Sequence, residues 1–170
     1  LNSINQKKKY TSNKIILDCA NGSLSHIANK FFEPRIRNLV LYGTRPDGFN
    51  INHLCGSTNI SFLQEEVLKN QADIGFAFDG DGDRIVFVDK SGFKIDGDKI
   101  LGILAVHAQK NGSLQSDGFV ATIYSNSGLE QFLADNSIKL SRSDVGDRNV
   151  FALMQKKNYN WGGESSGHII

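Results

Sequence analysis

Asp79, Asp81 and Asp83 stand at every second position of the stretch FAFDGDGDRIVFVD (76–89), with Gly80 and Gly82 between them and Arg84 directly after. In extended backbone alternate side chains point the same way, so three carboxylates at this spacing can converge on one point. The glycines permit backbone angles that other residues resist. Converging carboxylates repel one another unless a cation lies between them. Oxygen donors with no His or Cys nearby favour Mg²⁺ or another oxygen-seeking divalent ion over zinc or copper. Arg84 can grip a phosphate oxygen through paired hydrogen bonds, or it can pair with a neighbouring aspartate; the sequence leaves both open.

Three other readings compete for this stretch. A helix–loop–helix calcium site counted from Asp79 needs Gly at its sixth position and Glu at its twelfth, but Arg84 and Lys90 stand there and a β-type run follows. An aspartyl phosphatase would use Asp79 as nucleophile in a D-x-D motif, and Asp83 occupies the place where a small hydroxyl or β-branched residue belongs. The plainest alternative is a polar turn in a β-hairpin. A second concentration of chemistry, WGGESSGHII (161–170), supplies Glu164, Ser165, Ser166 and His168 between glycines, a pattern suited to hydroxyl-rich ligands. Its G-x-S-x-G segment also matches a serine-hydrolase elbow, although such a triad needs an acid and then a His further along, and only His168 follows.

The elements that must hold these groups alternate along the chain. KIILDC (14–19) reads as a strand, ANGS as a turn and LSHIANKFF (24–32) as a helix from its apolar spacing. NLVLYG is the next strand. SFLQEEVLKN (61–70) is a helix with Ser61 as N-cap, and ADIGFAF (72–78) is a strand running into the aspartates. RIVFVD follows as another strand and DKSG as a hairpin turn. The alternation then restarts: helix 98–110, strand 118–124, helix 127–136, strand 138–143, helix 147–157 and a last extended piece.

This pattern predicts an α/β protein of two consecutive three-layer units, with mainly parallel or mixed sheets and helices on their faces. A basic polar tail (1–13) precedes a metal-loop domain (14–94) and a sugar-loop domain (95–170). One mixed sheet spanning both halves is the alternative.

Bulk composition excludes several partners. The 170 residues are 39% hydrophobic and 22% charged, with nineteen Lys+Arg against eighteen Asp+Glu and a formal charge of +1. This suits ordinary globular domains and argues for neither nucleic acid nor a membrane as partner. QKKKY near the start reads as a solvated tail. Residues 1–13 have no apolar signal-peptide core, and ILGILAVHA (100–108) is too short to span a bilayer. Cys19 and Cys55 have no metal-type spacing, so reduced thiols and a cytoplasmic location are expected.

Six ordered stretches together resemble the α-D-phosphohexomutase family: LDCANG (17–22), PDGFNIN with CGST (46–58), ADIGFAFDGDGDR (72–84), DGDKILGILA (96–105), VGDR (145–148) and GGESSGHII (162–170). The resemblance is strongest to members that interconvert glucosamine 6-phosphate and glucosamine 1-phosphate, a step in amino-sugar biosynthesis. It implies a four-domain enzyme whose phosphoserine hands a phosphoryl group to a hexose or hexosamine phosphate, through a bisphosphate intermediate that turns over in the site. By position it implies Asp79, Asp81 and Asp83 as ligands of Mg²⁺, Arg84 as the group steadying the phosphoryl, Glu164 and Ser166 as holders of sugar hydroxyls, and His168 beside the reacting substrate.

Departures from the family pattern are equally specific. No Thr-Ala-Ser-His-Asn-Pro serine loop and no Arg-Ser-Gly-Thr phosphate clamp occur in these 170 residues. Ser25-His26 lacks the proline and falls in an expected helix, and Ser165 stands where Gln is usual. FFEPRIRNLVLYG also replaces a glycine-containing turn. The expectation is the second domain and most of the third domain of a mutase, inactive alone, with the missing domains on the same or another chain. Phosphomannomutase or phosphoglucomutase activity, and a truncated product that binds Mg²⁺ or sugar phosphate without catalysis, are the alternatives. An unpaired sheet edge or exposed face predicts poor solubility for such a piece.

Overall fold

The computed structural model describes residues 10–170, so the lysines of the basic tail lie outside the described residues. The chain divides into two compact units between Lys94 and Ile95. Two separate sheets, of five and three strands, replace the alternative of one continuous sheet. The architecture is α/β throughout, with one mixed and one parallel sheet.

In the first unit β1 (Tyr10–Asp18) lies parallel to both β2 (Ile36–Tyr42) and β3 (Ile74–Phe78). The antiparallel β4 (Ile85–Asp89) pairs with β3, and the short β5 (Lys94–Ile95) completes the order β2-β1-β3-β4-β5. Alternation in β3 and β4 puts Gly75, Ala77, Val86 and Val88 inward. Helix α2 (Ile60–Lys69) covers this face, its Leu63 and Val67 one turn apart and packed on Ile16, Ala72, Ala77 and Val88. Burying each such side chain contributes about 1.5–3 kcal/mol. The turn after β4 is the expected hairpin: the Asp89 carboxylate accepts from Ser91 N and Phe93 N, and Gly92 takes φ +79°.

Two local expectations need correction. Instead of one helix over 24–32, the chain makes a 3-10 turn (Ser23–His26) and then the five-residue α1 (Ala28–Phe32). Ala20 and Asn21 enter with left-handed backbone, and the buried Ser25 bonds through its hydroxyl to Gly43 O. These tertiary ties hold the first turn away from α-helical spacing. Ser61 is also not the cap of α2: Asn59 holds that position without a side-chain cap bond, and Ser61 lies inside the first turn.

The second unit stacks three layers. Its sheet has the order β7-β6-β8, with β6 (Gly118–Thr122) parallel to β7 (Lys139–Ser143) and β8 (Gly162–Gly163). All five residues of β6 are buried, as a central strand covered on both faces requires. On one face α3 (Gly97–Lys110) and α4 (Ser127–Asp135) bury Leu101, Ala105, Leu129 and Leu133 against Phe119 and Ala121. On the other, α5 (Asp147–Lys157) packs Val150 and Met154 on Val120. Capping is explicit on the first face, where Asp96 accepts from Asp98 N and Asn126 from Leu129 N.

Among the described residues no helix is long and apolar enough to cross a membrane. Cys19 and Cys55 are free and buried.

Candidate functional site

The aspartate loop is the connection between β3 and β4, closed by the Phe78–Ile85 pair at its base. One carboxylate oxygen from each of Asp79, Asp81 and Asp83 lies within 4.8 Å of the others, so the spacing in sequence does become convergence in space. Asp79 is the inner member, 9% exposed, while Asp81 and Asp83 face solvent. Asp79 Oδ1 accepts from Gly82 N and Arg84 N, each at 3.1 Å. Burial opposes its ionisation, but those N–H groups and a hydrogen bond shared with Asp83 hold the carboxyl below the ordinary range. A carboxylate so tied suits a fixed ligand better than an attacking nucleophile.

Arg84 Nε stands 4.0 Å from both Asp79 Oδ2 and Asp83 Oδ1, with about half of its side chain exposed (52%). It is balanced between two aspartates and reaches solvent. An oxygen-only donor set of this compactness fits a hard divalent cation.

The loop is positioned by residues 18–23, which lead out of β1. Ser23 N donates to Gly80 O at 2.8 Å and Ser23 Oγ to Asp81 O at 2.7 Å. Gly22 allows this approach, because a Cβ there would fall 2.1 Å from Gly80 O. Asp18, fully buried, anchors the arrangement by accepting from Ala20 N at 2.9 Å and Gly56 N at 2.6 Å. Burial pushes its carboxyl up, against the lowering effect of those two bonds. Burial, and then the Asp18 charge, push the neighbouring Cys19 thiol up to about 12, so it stays protonated and inert at neutral pH.

In the second unit residues 163–169 form a tight hairpin-like turn. Gly163 bridges Ile169, Glu164 N donates to His168 O, and Gly167 takes φ +106°. The residues directly after Ser165 turn back to the Gly163–Ile169 bridge instead of opening a helix, unlike a hydrolase elbow. Glu164 Oε1 accepts from Gly146 N at 2.8 Å, just before α5. Gly97 faces the same turn so closely that a Cβ would lie 1.9 Å from Ser165 O. Three short stretches far apart in sequence, DGDK, VGDR and GGESSGH, thus meet around Glu164 and Ser165. Ser166 is exposed on the turn, and His168 is partly buried.

Profiles of known families account for nearly every residue of the chain. Residues 1–92 match the phosphoglucomutase/phosphomannomutase α/β/α domain II, and residues 96–170 match α/β/α domain III of the same family. The chain belongs to the phosphoglucomutase/phosphomannomutase family. It is 45% identical over 169 residues to the phosphoglucosamine mutase of a Sulfurovum strain, covering 99% of this chain and 38% of that protein. The Coxiella burnetii phosphoglucosamine mutase is 49% identical over 160 residues, covering 92% of this chain and 35% of the relative. The chain therefore spans little more than a third of the length of these relatives.

A phosphoglucomutase/phosphomannomutase family protein from Burkholderia thailandensis shares the fold with a TM-score of 0.82 at 27% identity, covering 92% of this chain and 34% of its own. An N-acetylglucosamine-phosphate mutase, a member of the α-D-phosphohexomutase superfamily, gives 0.71 at 21% identity over 99% of this chain and 40% of its own, a likeness of fold.

Within this family member, spacing did not reveal the buried brace Asp18 and the spacer Gly22 of the aspartate loop, nor the spacer Gly97 beside the 163–169 turn. Gly56, Gly80 and Ser165, against which they are set, lie tens of residues away. The only signal was their place inside the quoted motifs.

Proposed function

We propose that this chain is the metal-loop and sugar-loop portion of a phosphosugar mutase that interconverts glucosamine 6-phosphate and glucosamine 1-phosphate. The observation that carries the proposal is the convergence of Asp79, Asp81 and Asp83 within 4.8 Å, beside the half-exposed Arg84, in a chain 45% identical to a phosphoglucosamine mutase. Phosphoryl transfer depends chiefly on positioning and on neutralising charge, and these residues are of that kind.

In this reading Asp79, Asp81 and Asp83 hold Mg²⁺, whose charge offsets that of the phosphoryl oxygens. Arg84 leaves its two aspartate neighbours to steady the phosphoryl group by charge-assisted hydrogen bonds. Glu164 keeps Oε1 on Gly146 N and turns Oε2 to sugar hydroxyls, with Ser166 supplying a second polar contact. His168 sits beside the reacting substrate. The phosphoserine that carries the phosphoryl group lies outside these 170 residues, so the isolated chain does not turn over. The division after residue 94 separates a second-domain portion, whose first strand starts at Tyr10 rather than at the expected residue 14, from most of the third, and the protein acts in the cytoplasm.

The test is an isomerase assay on the polypeptide as its own cells produce it, after its intact mass has been read. A strong preference for glucosamine phosphates supports the assignment. Preference for mannose or glucose phosphates would reassign it within the family. A cellular product of 18.7 kDa, the mass of this chain, would sink catalysis and leave a binding role only.

A further inference from the structure

We propose that the cleft between α3 and α4 binds a primary ammonium carried on a small apolar body, with Asp98 as the anion that attracts it. The inference stands on the second unit alone and is independent of the aspartate loop. The cleft has a volume of about 430 Å³, within the range of small-molecule sites. Two of its lining positions are glycines, Gly102 of α3 and Gly128 of α4, so neither helix sends a side chain into it there. Its walls are Ile103, Leu129 and Phe132, of which Ile103 and Phe132 remain exposed. A Cβ on Gly102 would fall 3.0 Å from the Phe132 ring, so a side chain at that position would crowd this wall.

Polar groups gather where the two helices begin. Asp98, in the first turn of α3, is part of the cleft lining and only 5% exposed. Its Oδ2 accepts from Asn126 N, the cap residue of α4, at 2.7 Å. Its Oδ1 is buried with no hydrogen-bond partner among the described residues. Ser125, the residue before Asn126, likewise has a buried Oγ without a partner. Buried unfilled polar atoms are few in native folds, and one on a charged group costs more than one on a neutral group.

Charge and polarity together select the ligand class. Among the charged residues lining the cleft, the carboxylates Asp96 and Asp98 outnumber the ammonium of Lys99. An anion would meet those two carboxylates. A sugar would set its hydroxyls against Ile103, Leu129 and Phe132, and a purely apolar molecule would leave the Asp98 charge unanswered. An ammonium brings three N–H donors and no acceptor, which matches a corner whose unfilled group is a carboxylate oxygen. An apolar body behind it gains by covering the exposed walls.

Benzylamine is the probe, titrated into the full chain and followed by ¹H–¹⁵N nuclear magnetic resonance, with benzyl alcohol as a neutral control of nearly the same shape. The expected result is saturable shifts over 98–103 and 126–132, with the amine binding about tenfold or more tighter than the alcohol. Asp98→Asn keeps the side-chain shape and an acceptor for Asn126 N, and should abolish that preference. Phe132→Ala removes an exposed wall and should weaken both ligands. Absence of saturable shifts at these residues, or equal affinity of wild type for amine and alcohol, would overturn the proposal. So would an Asp98→Asn chain that keeps the wild-type preference. If Asp98→Asn does not fold, the comparison of amine with alcohol on wild type and on Phe132→Ala decides.

Discussion

Asp79 and Asp81 carry the same charge two residues apart, yet the fold treats them differently. Asp79 orients two backbone N–H groups from a buried position, whereas Asp81 faces solvent. Replacing Asp79 with Ala should cost about 1–3 kcal/mol because those donors lose their acceptor. Asp81→Ala should stay within about 0.5 kcal/mol of wild type; thermal unfolding followed by circular dichroism checks both. A second pair makes a pH-dependent prediction. Glu66 is held below the ordinary carboxylate range first by the Tyr42 hydroxyl and then by Lys69. A depressed pKa gives stability that is present above the unfolded value and lost as pH falls through the folded one. Tyr42→Phe keeps the edge-on contact with Phe62 and removes the donor. It should lose about 1.5–3 kcal/mol near neutrality, and the gap to wild type should narrow below about pH 4. A gap independent of pH would contradict this assignment.

The 163–169 turn is shaped by parts of the chain that sit on different elements. Gly97 opens α3, and its Cβ would strike Ser165 O. Gly97→Ala should therefore destabilise by about 1–3 kcal/mol through overpacking, with the largest rise in hydrogen exchange over 163–169. Glu164→Ala removes the acceptor of Gly146 N, whereas Glu164→Gln keeps one. The Ala variant should show faster exchange at the start of α5 and the Gln variant much less.

These contacts mark how much the sequence reveals. Strands such as β3 and helices such as α2 announce themselves by alternation and by apolar spacing, and the aspartate cluster by its period of two. The same cues failed at 24–32, where apolar periodicity matched a helix but the Ser25–Gly43 bond held a 3-10 turn. They also could not show that Glu164 binds Gly146, since side-chain partners eighteen residues apart leave no periodic trace.

Across the molecule, each unit has its own apolar core, and several large apolar side chains remain exposed, Phe49 at 93% and Tyr124 at 75% being the most open among the described residues. Exposed apolar surface promotes association. Phe49→Ser and Tyr124→Ser should lower light scattering at high protein concentration without moving the unfolding midpoint, since neither side chain is part of a core. Little more than a third of the length of its relatives is present in this chain, and the proposed chemistry divides accordingly: cation and sugar contacts within it, the phosphoryl carrier outside. The most direct test of the proposed cation site is calorimetric titration of Mg²⁺ into the whole chain, as wild type and as Asp81→Asn. Saturable binding to wild type that weakens about tenfold or more in the variant is the predicted result. Identical heats from the two proteins would contradict it and reduce the aspartate loop to a polar turn.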